Sequence, residues 1–256
     1  MDEQPIRKMT PAARASDTAE TRIARWLVLA VVLAAAGLVY LGKTNSGGPA
    51  VQLPAPTQDT VASDASAPQT AVFAGGCFWG VQAVFQHTQG VLNAVSGYAG
   101  GQAETARYER VTSGQTGHAE SVQVTYDPQQ ISYGKLLQIY FSVAHDPTEL
   151  NRQGPDFGTQ YRSAIFYQGA EQKQQAEHFM AELDAARVFP RKIATQLTPL
   201  DAFYPAEAQQ QDYATPNPHS PYIATYDRPK IASLKQMFPE VYRETPLLVA
   251  AQRAIP

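Results

Sequence analysis

A single cysteine, Cys77, stands in the stretch AVFAGGCFWG at residues 71–80. A lone cysteine closes no disulfide within the chain and builds no thiolate-only zinc site, so it is core filling, a free reactive thiol, or a bridge to another molecule. Its neighbours favour the reactive thiol. Gly75 and Gly76 let the chain turn sharply off a strand end and leave room for another molecule to approach the backbone. Cys77 then falls at the first turn of a helix, where unpaired N–H groups and the positive end of the helix dipole stabilise an anion and lower a thiol's pKa. A structural cysteine gains nothing from that placement. Phe78 and Trp79 follow directly. Consecutive helical side chains point about 100° apart, so both cannot lie on one buried stripe, and at least one faces the site.

The elements around this stretch must hold it. TAVFAG reads as a short buried strand, residues 78 to about 87 as a helix, and LNAVSGYAGG as a strand ending in glycines. ESVQVTYDP alternates Val122, Val124 and Tyr126 on one face and stops at Asp127-Pro128. SYGKLLQIYFSVA and AEQKQQAEHFMAELDAAR carry helical spacing, and RSAIFYQ and KIATQLTPL read as two further strands. Only some crossovers contain helices, so the expected fold class is α+β (mixed α/β): a two-layer sandwich of a mixed sheet with packed helices and a ferredoxin-like core.

The N-terminal quarter has a different composition. Residues 23–42, IARWLVLAVVLAAAGLVYLG, form an apolar run with Arg7, Lys8, Arg14, Arg22 and Arg25 before it and only Lys43 close behind. This pattern predicts a cytoplasmic tail over 1–22 and a single-pass inner-membrane anchor over 23–42, with the catalytic domain on the periplasmic side. LAAAG within the run offers a cleaved signal segment as the alternative. Residues 43–69, rich in Pro, Ala, Ser, Thr and Gly, read as a flexible linker. The catalytic domain is expected over 70–240 and a C-terminal tail over 241–256.

Composition excludes some partners. A formal charge of -3 gives no electrostatic reason to expect nucleic acid. The five histidines, at 87, 118, 145, 178 and 219, show no i, i+4 ligand pair, so no metal is expected. An apolar wall beside a thiolate suits a substrate that brings a small apolar group, and oxidised methionine is one such option among several.

Four motifs in order narrow these options. GGCFWG at 75–80, GYAGG at 97–101, YERVTSGQTGHAESVQVTYDP at 108–128 and GTQYRSAIFY at 158–167 resemble the peptide methionine sulfoxide reductase A family. The likeness continues more weakly through FYPAE at 203–207 and PYIATYDRPK at 221–230. The resemblance implies reduction of methionine S-sulfoxide, free or in proteins, by a monomeric catalytic domain without metal or organic cofactor. It assigns nucleophilic attack to Cys77, which becomes a sulfenic acid, and protonation of the oxygen to Glu120. It also assigns hydroxyl donation to Tyr108 and Tyr161, the methyl pocket to Phe78 and Trp79, and positioning of the site to Asp156. Sulfoxide oxygen leaves poorly unless protonated, so an acid kept neutral by burial suits the position of Glu120 at the start of an alternating strand.

Two departures qualify the likeness. Many family members carry further cysteines that attack the sulfenic acid, and this sequence has none, so the reductant must be an external thiol, a thioredoxin-like protein or a small molecule. Gln209 and Gln210 stand where the family commonly has Tyr-His, and Gln hydrogen-bonds but does not titrate. That change keeps open a non-catalytic module that binds oxidised methionine. A Cys77/His118 hydrolase is the other alternative, although the sequence supplies no oxyanion hole or orienting partner for it.

Overall fold

The computed structural model describes residues 50–59 and 67–249, all within the compact unit Asn45–Pro256. The expected tail at 1–22 and anchor at 23–42 lie outside the described residues. Among the described residues, no helix is long and apolar enough to cross a membrane.

The core is a βαββαβ arrangement. Strand β1 (Gln69–Gly75) leads into helix α1 (Phe78–Gln86), then β2 (Val91–Ala99). A short helix α2 (Tyr108–Val111) precedes β3 (Ala119–Tyr126), and helix α3 (Tyr133–Ile139) follows it. A hairpin of β4 (Arg152–Gln153) and β5 (Asp156–Phe157) intervenes before β6 (Ser163–Tyr167). Helix α4 (Ala170–Ala185), β7 (Gln196–Pro199), β8 (Phe203–Pro205) and helix α5 (Arg228–Met237) complete the order. The six-stranded sheet runs β7-β6-β1-β3-β2-β8. Its four central strands pair antiparallel in the ferredoxin-like order, and β6 with β7 is the parallel pair that makes the sheet mixed. The expected fold class is therefore observed.

Alternation along the strands sorts the two faces. Ala71 and Phe73 of β1 join Val122 and Val124 of β3 and Ile165 of β6 on the helix-covered face. Val72, Ala74, Ala119, Ala164 and Phe166 form a smaller cluster on the other. Helix α1 buries Phe78, Val81, Val84 and Phe85 against the larger cluster, each worth about 1.5–3 kcal/mol relative to exposure. Ser132 caps α3 by accepting the Lys135 N–H at 3.0 Å. These contacts fix the end of β1 and the start of α1, and so the position of Cys77.

Two expected boundaries are corrected. The expected flexible linker includes residues 50–59, but there Leu53 is buried, Val51 donates its N–H to the Ser142 carbonyl, and Gln138 Nε2 donates to the Leu53 carbonyl at 2.7 Å. The Asp59 carboxylate accepts from the Gly134 N–H and the Ser132 hydroxyl. The low-complexity composition hides one apolar anchor and one acid that binds at a helix start. The expected tail is likewise docked as far as Val249. Arg243 and Leu247 donate backbone N–H groups to the carbonyls of His87 and Gln86, and the Val249 N–H donates to Asp212. The first two bonds use carbonyls at the end of α1 that have no partner within the helix.

Candidate active site

Gly76 has φ +87°, and the Gln153 side chain packs so close that a Cβ at Gly76 would lie 2.5 Å from it. Both facts require glycine at the bend between β1 and α1. Cys77 is the N-cap of α1 rather than a residue of its first turn, and it is 8% exposed. Burial raises its thiol well above the ordinary value, and the carboxylates of Glu120 and Asp227 add to that. The Trp79 N–H and the Lys230 charge act in the opposite direction but do not overcome it. The expectation of a thiol made acidic by its helix is thus overturned. Desolvation outweighs the helix terminus.

Glu120, opposite Tyr98 in the β2–β3 register, shares the helix-covered face with Val122 and Val124 and is 2% exposed. Its Oε2 accepts the backbone N–H of Phe78 at 3.0 Å, so the carboxyl lies against the residue that follows Cys77. Burial lifts Glu120 to about 8; the Phe78 bond opposes this and the Asp156 charge adds to it. Burial therefore favours the neutral carboxyl, the form from which a proton can be donated. Cys77 and Glu120 are adjacent, and loss of a proton by either raises its cost for the other.

The other expected residues gather around this pair. Phe78 is buried and packs on Tyr108 and Tyr98, with ring centroids 6.5 and 5.9 Å away. Tyr108, at the start of α2, is pushed up to about 12 by burial and by the charges of Glu120, Cys77 and Asp156. Tyr161, on the turn before β6, is raised by burial and by Glu120, Asp156, Cys77 and Tyr108. Asp156 of β5 accepts the Tyr222 hydroxyl; burial raises its carboxyl, and the Tyr222 bond and the Lys230 charge oppose the rise. Trp79 stacks on Tyr213 with centroids 3.9 Å apart and meets Tyr222 edge-on. Phe78 and Trp79 therefore lie in different aromatic groups, as their angular separation on the helix requires.

Several holding groups escaped the sequence reading. Glu207 accepts the Tyr98 hydroxyl at 2.8 Å and the Tyr108 N–H at 2.9 Å. Burial alone would raise Glu207, but those bonds and the Arg107 charge outweigh it and hold the carboxyl low. Gln210 accepts the Trp79 indole N–H at 3.0 Å, whereas Gln209 is exposed. Tyr213, Tyr222, Asp227 and Lys230 were also missed. The motifs FYPAE and PYIATYDRPK were the available signal, but only long-range contacts give their residues a role.

His118 does not form a pair with Cys77. Its Nε2–H donates to the Gln102 carbonyl at 3.0 Å, and its ring meets Tyr98 and Tyr204 edge-on. The Cys/His hydrolase alternative therefore lacks its base. Among the described residues, no group of three or more His, Cys, Asp or Glu side chains is arranged to hold a metal ion. A cleft of about 510 Å³ lined by Ala208, Gln211, Asp212, Thr215, Pro216, Leu248 and Val249 contains neither Cys77 nor Glu120.

A thiol with a neutral acid at its side can take an oxygen atom from an oxidised sulfur and pass through a sulfenic acid, which is the chemistry of cysteine-dependent oxidoreductases. Relatives define the class more narrowly. The chain belongs to the peptide methionine sulfoxide reductase family, which it matches over residues 69–241. It is 58% identical over 181 residues to peptide methionine sulfoxide reductase MsrA 2 of Mesorhizobium japonicum, covering 71% of this chain and 93% of that one. It is 48% identical to MsrA 2 of Synechocystis, over 73% and 88% of the two chains. Among solved structures it resembles reduced Mxr1 of Saccharomyces cerevisiae, with TM-score 0.58 and 33% identity over 64% of this chain and 93% of that one. Methionine sulfoxide reductase A of Corynebacterium diphtheriae aligns with TM-score 0.53 and 33% identity, over 69% and 90%.

Proposed function

We propose that Cys77 attacks the sulfur of methionine S-sulfoxide, free or in a protein, while Glu120 supplies the proton that lets the oxygen leave. The chain is a methionine sulfoxide reductase, an oxidoreductase of the A type. The observation that carries the catalytic assignment is the Phe78 N–H bond to Glu120, which sets a buried acid of pKa about 8 beside the cysteine.

The step balances without a metal or organic cofactor. The Cys77 sulfur bonds to the sulfoxide sulfur as Glu120 protonates the oxygen; the S–O bond then breaks as the hydroxyl bonds to the Cys77 sulfur, and the new S–S bond breaks with its electron pair left on methionine, so that thiolate, proton and sulfoxide become sulfenic acid and methionine. The reactive pair carries one proton between Cys77 and Glu120, with the sulfur ionised and the acid neutral at attack. Tyr108 and Tyr161 donate hydroxyl hydrogen bonds to the oxygen. Phe78 and Trp79 flank the methyl group, and Asp156 holds Tyr222 at the rim.

Recycling draws on outside thiols, because the sequence contains no second cysteine. One thiol condenses with the sulfenic acid, releasing water and leaving a mixed disulfide. A second thiol attacks that disulfide, leaves as the oxidised reductant and returns Cys77. The reductant is a thioredoxin-like protein or a small thiol. The apolar run at 23–42 and its basic flank support a tether to the inner membrane, with the catalytic unit on the periplasmic side. Labelling of Cys77 in intact cells by a membrane-impermeant reagent tests that placement.

The activity test mixes the full chain with methionine S-sulfoxide and dithiothreitol and measures methionine. The wild type forms it and Cys77→Ser does not. Mass spectrometry after one equivalent of substrate finds Cys77 as the sulfenic acid or its thiol adduct. Equal methionine from both proteins would leave the pocket as a binding module.

A further inference from the structure

The fourth residue of the Cys-Phe-Trp-Gly run, Gly80, is helical and buried, where glycine costs helix stability. Its missing side chain is replaced by an ion pair from the far end of the chain. An ideal Cβ at Gly80 would lie 2.0 Å from Asp227 Oδ1 and 2.8 Å from Lys230 Nζ. Lys230 Nζ contacts Asp227 Oδ1 at 3.3 Å; the Asp227 side chain is fully buried and that of Lys230 is 13% exposed. Asp227 ends the π-helical turn Ile223–Asp227, which runs directly into α5, and its Oδ2 is buried without a hydrogen-bond partner. With no free helix start at that point, α5 does not call for a capping carboxylate. This one is turned instead to the first turn of α1, three residues from Cys77. Residues at that helical spacing are neighbours, with Cβ atoms about 5–6 Å apart.

We propose that Asp227 and Lys230 are positioning residues of the reduction: seated in the Gly80 notch, they hold opposite charges one helical turn from Cys77 and set the balance between its thiol and thiolate forms. Lys230 favours the anion needed for attack on the sulfoxide. It favours the same anion when the second thiol breaks the mixed disulfide and the bonding electron pair returns to the Cys77 sulfur. Asp227 keeps the ammonium in place and opposes that anion. The directions in which burial and neighbouring charges act on Cys77 agree with these opposed roles.

The proposal rests on Cys77 as the nucleophile but is tested without turnover. Because Cys77 is the only cysteine, the pH dependence of its alkylation by iodoacetamide in the full chain reports one site. Glu120 on β3, Tyr108 on α2, Tyr161 before β6 and Tyr222 before α5 also interact with the sulfur, Asp156 on β5 acts on Glu120 and Tyr222, and all are unchanged in every variant. Asp227→Asn, equal in size and leaving no unpaired acid, lowers the alkylation midpoint by about one unit; Lys230→Met raises it by about one unit. Lys230→Arg keeps the wild-type midpoint. Opposite shifts cannot come from loosened packing, which would move both variants the same way. Midpoints that stay put, or move together, overturn the proposal. If Lys230→Met does not fold, Asp227→Asn decides alone: a fall supports the pair, and no change or a rise overturns it. Activity retained in Cys77→Ser would overturn the nucleophile assignment instead, so the two failures are distinguishable.

Discussion

The turn from β1 into α1 and the C-terminal stretch from β8 to α5 meet at the same site but contribute different things. The first carries the sulfur and, through the Phe78 N–H, grips the acid of β3. The second contributes no proposed reacting atom. Its Glu207 sets Tyr98 and Tyr108, its Gln210 fixes the Trp79 indole, its Tyr222 binds Asp156, and its Asp227 and Lys230 fill the space above Gly80. Chemistry resides in a few residues at the start of α1 and of β3, while orientation comes from groups more than a hundred positions from Cys77. Substitutions in the first region should therefore abolish the reaction, and those in the second should degrade it by degrees.

The largest effect is expected at Cys77. Cys77→Ser lowers kcat by at least about 10⁴-fold, because serine cannot carry the oxygen through a sulfenic acid. Next is Glu120→Gln, which costs about 10²–10⁴-fold in single-turnover methionine release by removing the proton donor. The same variant has a stability signature. Glu120 has its folded pKa raised from the ordinary 4.5 to about 8, so its contribution is complete below the ordinary value and is lost as pH rises through the folded one. Wild type thus loses on the order of 5 kcal/mol across that window relative to Glu120→Gln, as read by urea unfolding at several pH values.

Glu207→Ala, on the holding side, releases the Tyr98 hydroxyl and the Tyr108 N–H and lowers kcat/KM about ten- to a hundredfold while Cys77 alkylates normally. An effect as large as that of Glu120→Gln would erase the distinction between the two regions. Smallest for catalysis is Leu53→Ala. It lowers unfolding free energy by about 2–4 kcal/mol and leaves activity per folded molecule unchanged, because the backbone bonds of Leu53 run to Gln138 and Ser142 rather than to the reacting groups.

The same division explains what could be read before the structure. The apolar run TAVFAG and the helix after it made the strand–turn–helix unit visible, its glycines marked the bend, and alternation marked β3. Glu120 was legible by resemblance, and its burial then gave that assignment a physical cause. The ionisation of Cys77 differs from the sequence expectation because a helix terminus is local, whereas burial and the charges of Glu120 and Asp227 are set by residues distant along the chain. Gln210 looked like the loss of a functional group, yet its amide oxygen still receives the Trp79 N–H. Residues 50–59 looked like tether because composition gives no sign that Leu53 and Asp59 fit a particular helix. In each case the deciding partner was distant in sequence.

The pairing of one sulfur with one buried acid is tested most directly by the pH dependence of kcat/KM for methionine S-sulfoxide, compared between wild type and Glu120→Gln. Wild-type activity is expected to rise as the first of the two protons leaves, near the Glu120 value of about 8, and to fall at higher pH when the second is lost. The Glu120→Gln profile should be lower and should lack the inflection near that value. An inflection that persists unchanged in Glu120→Gln would contradict the account.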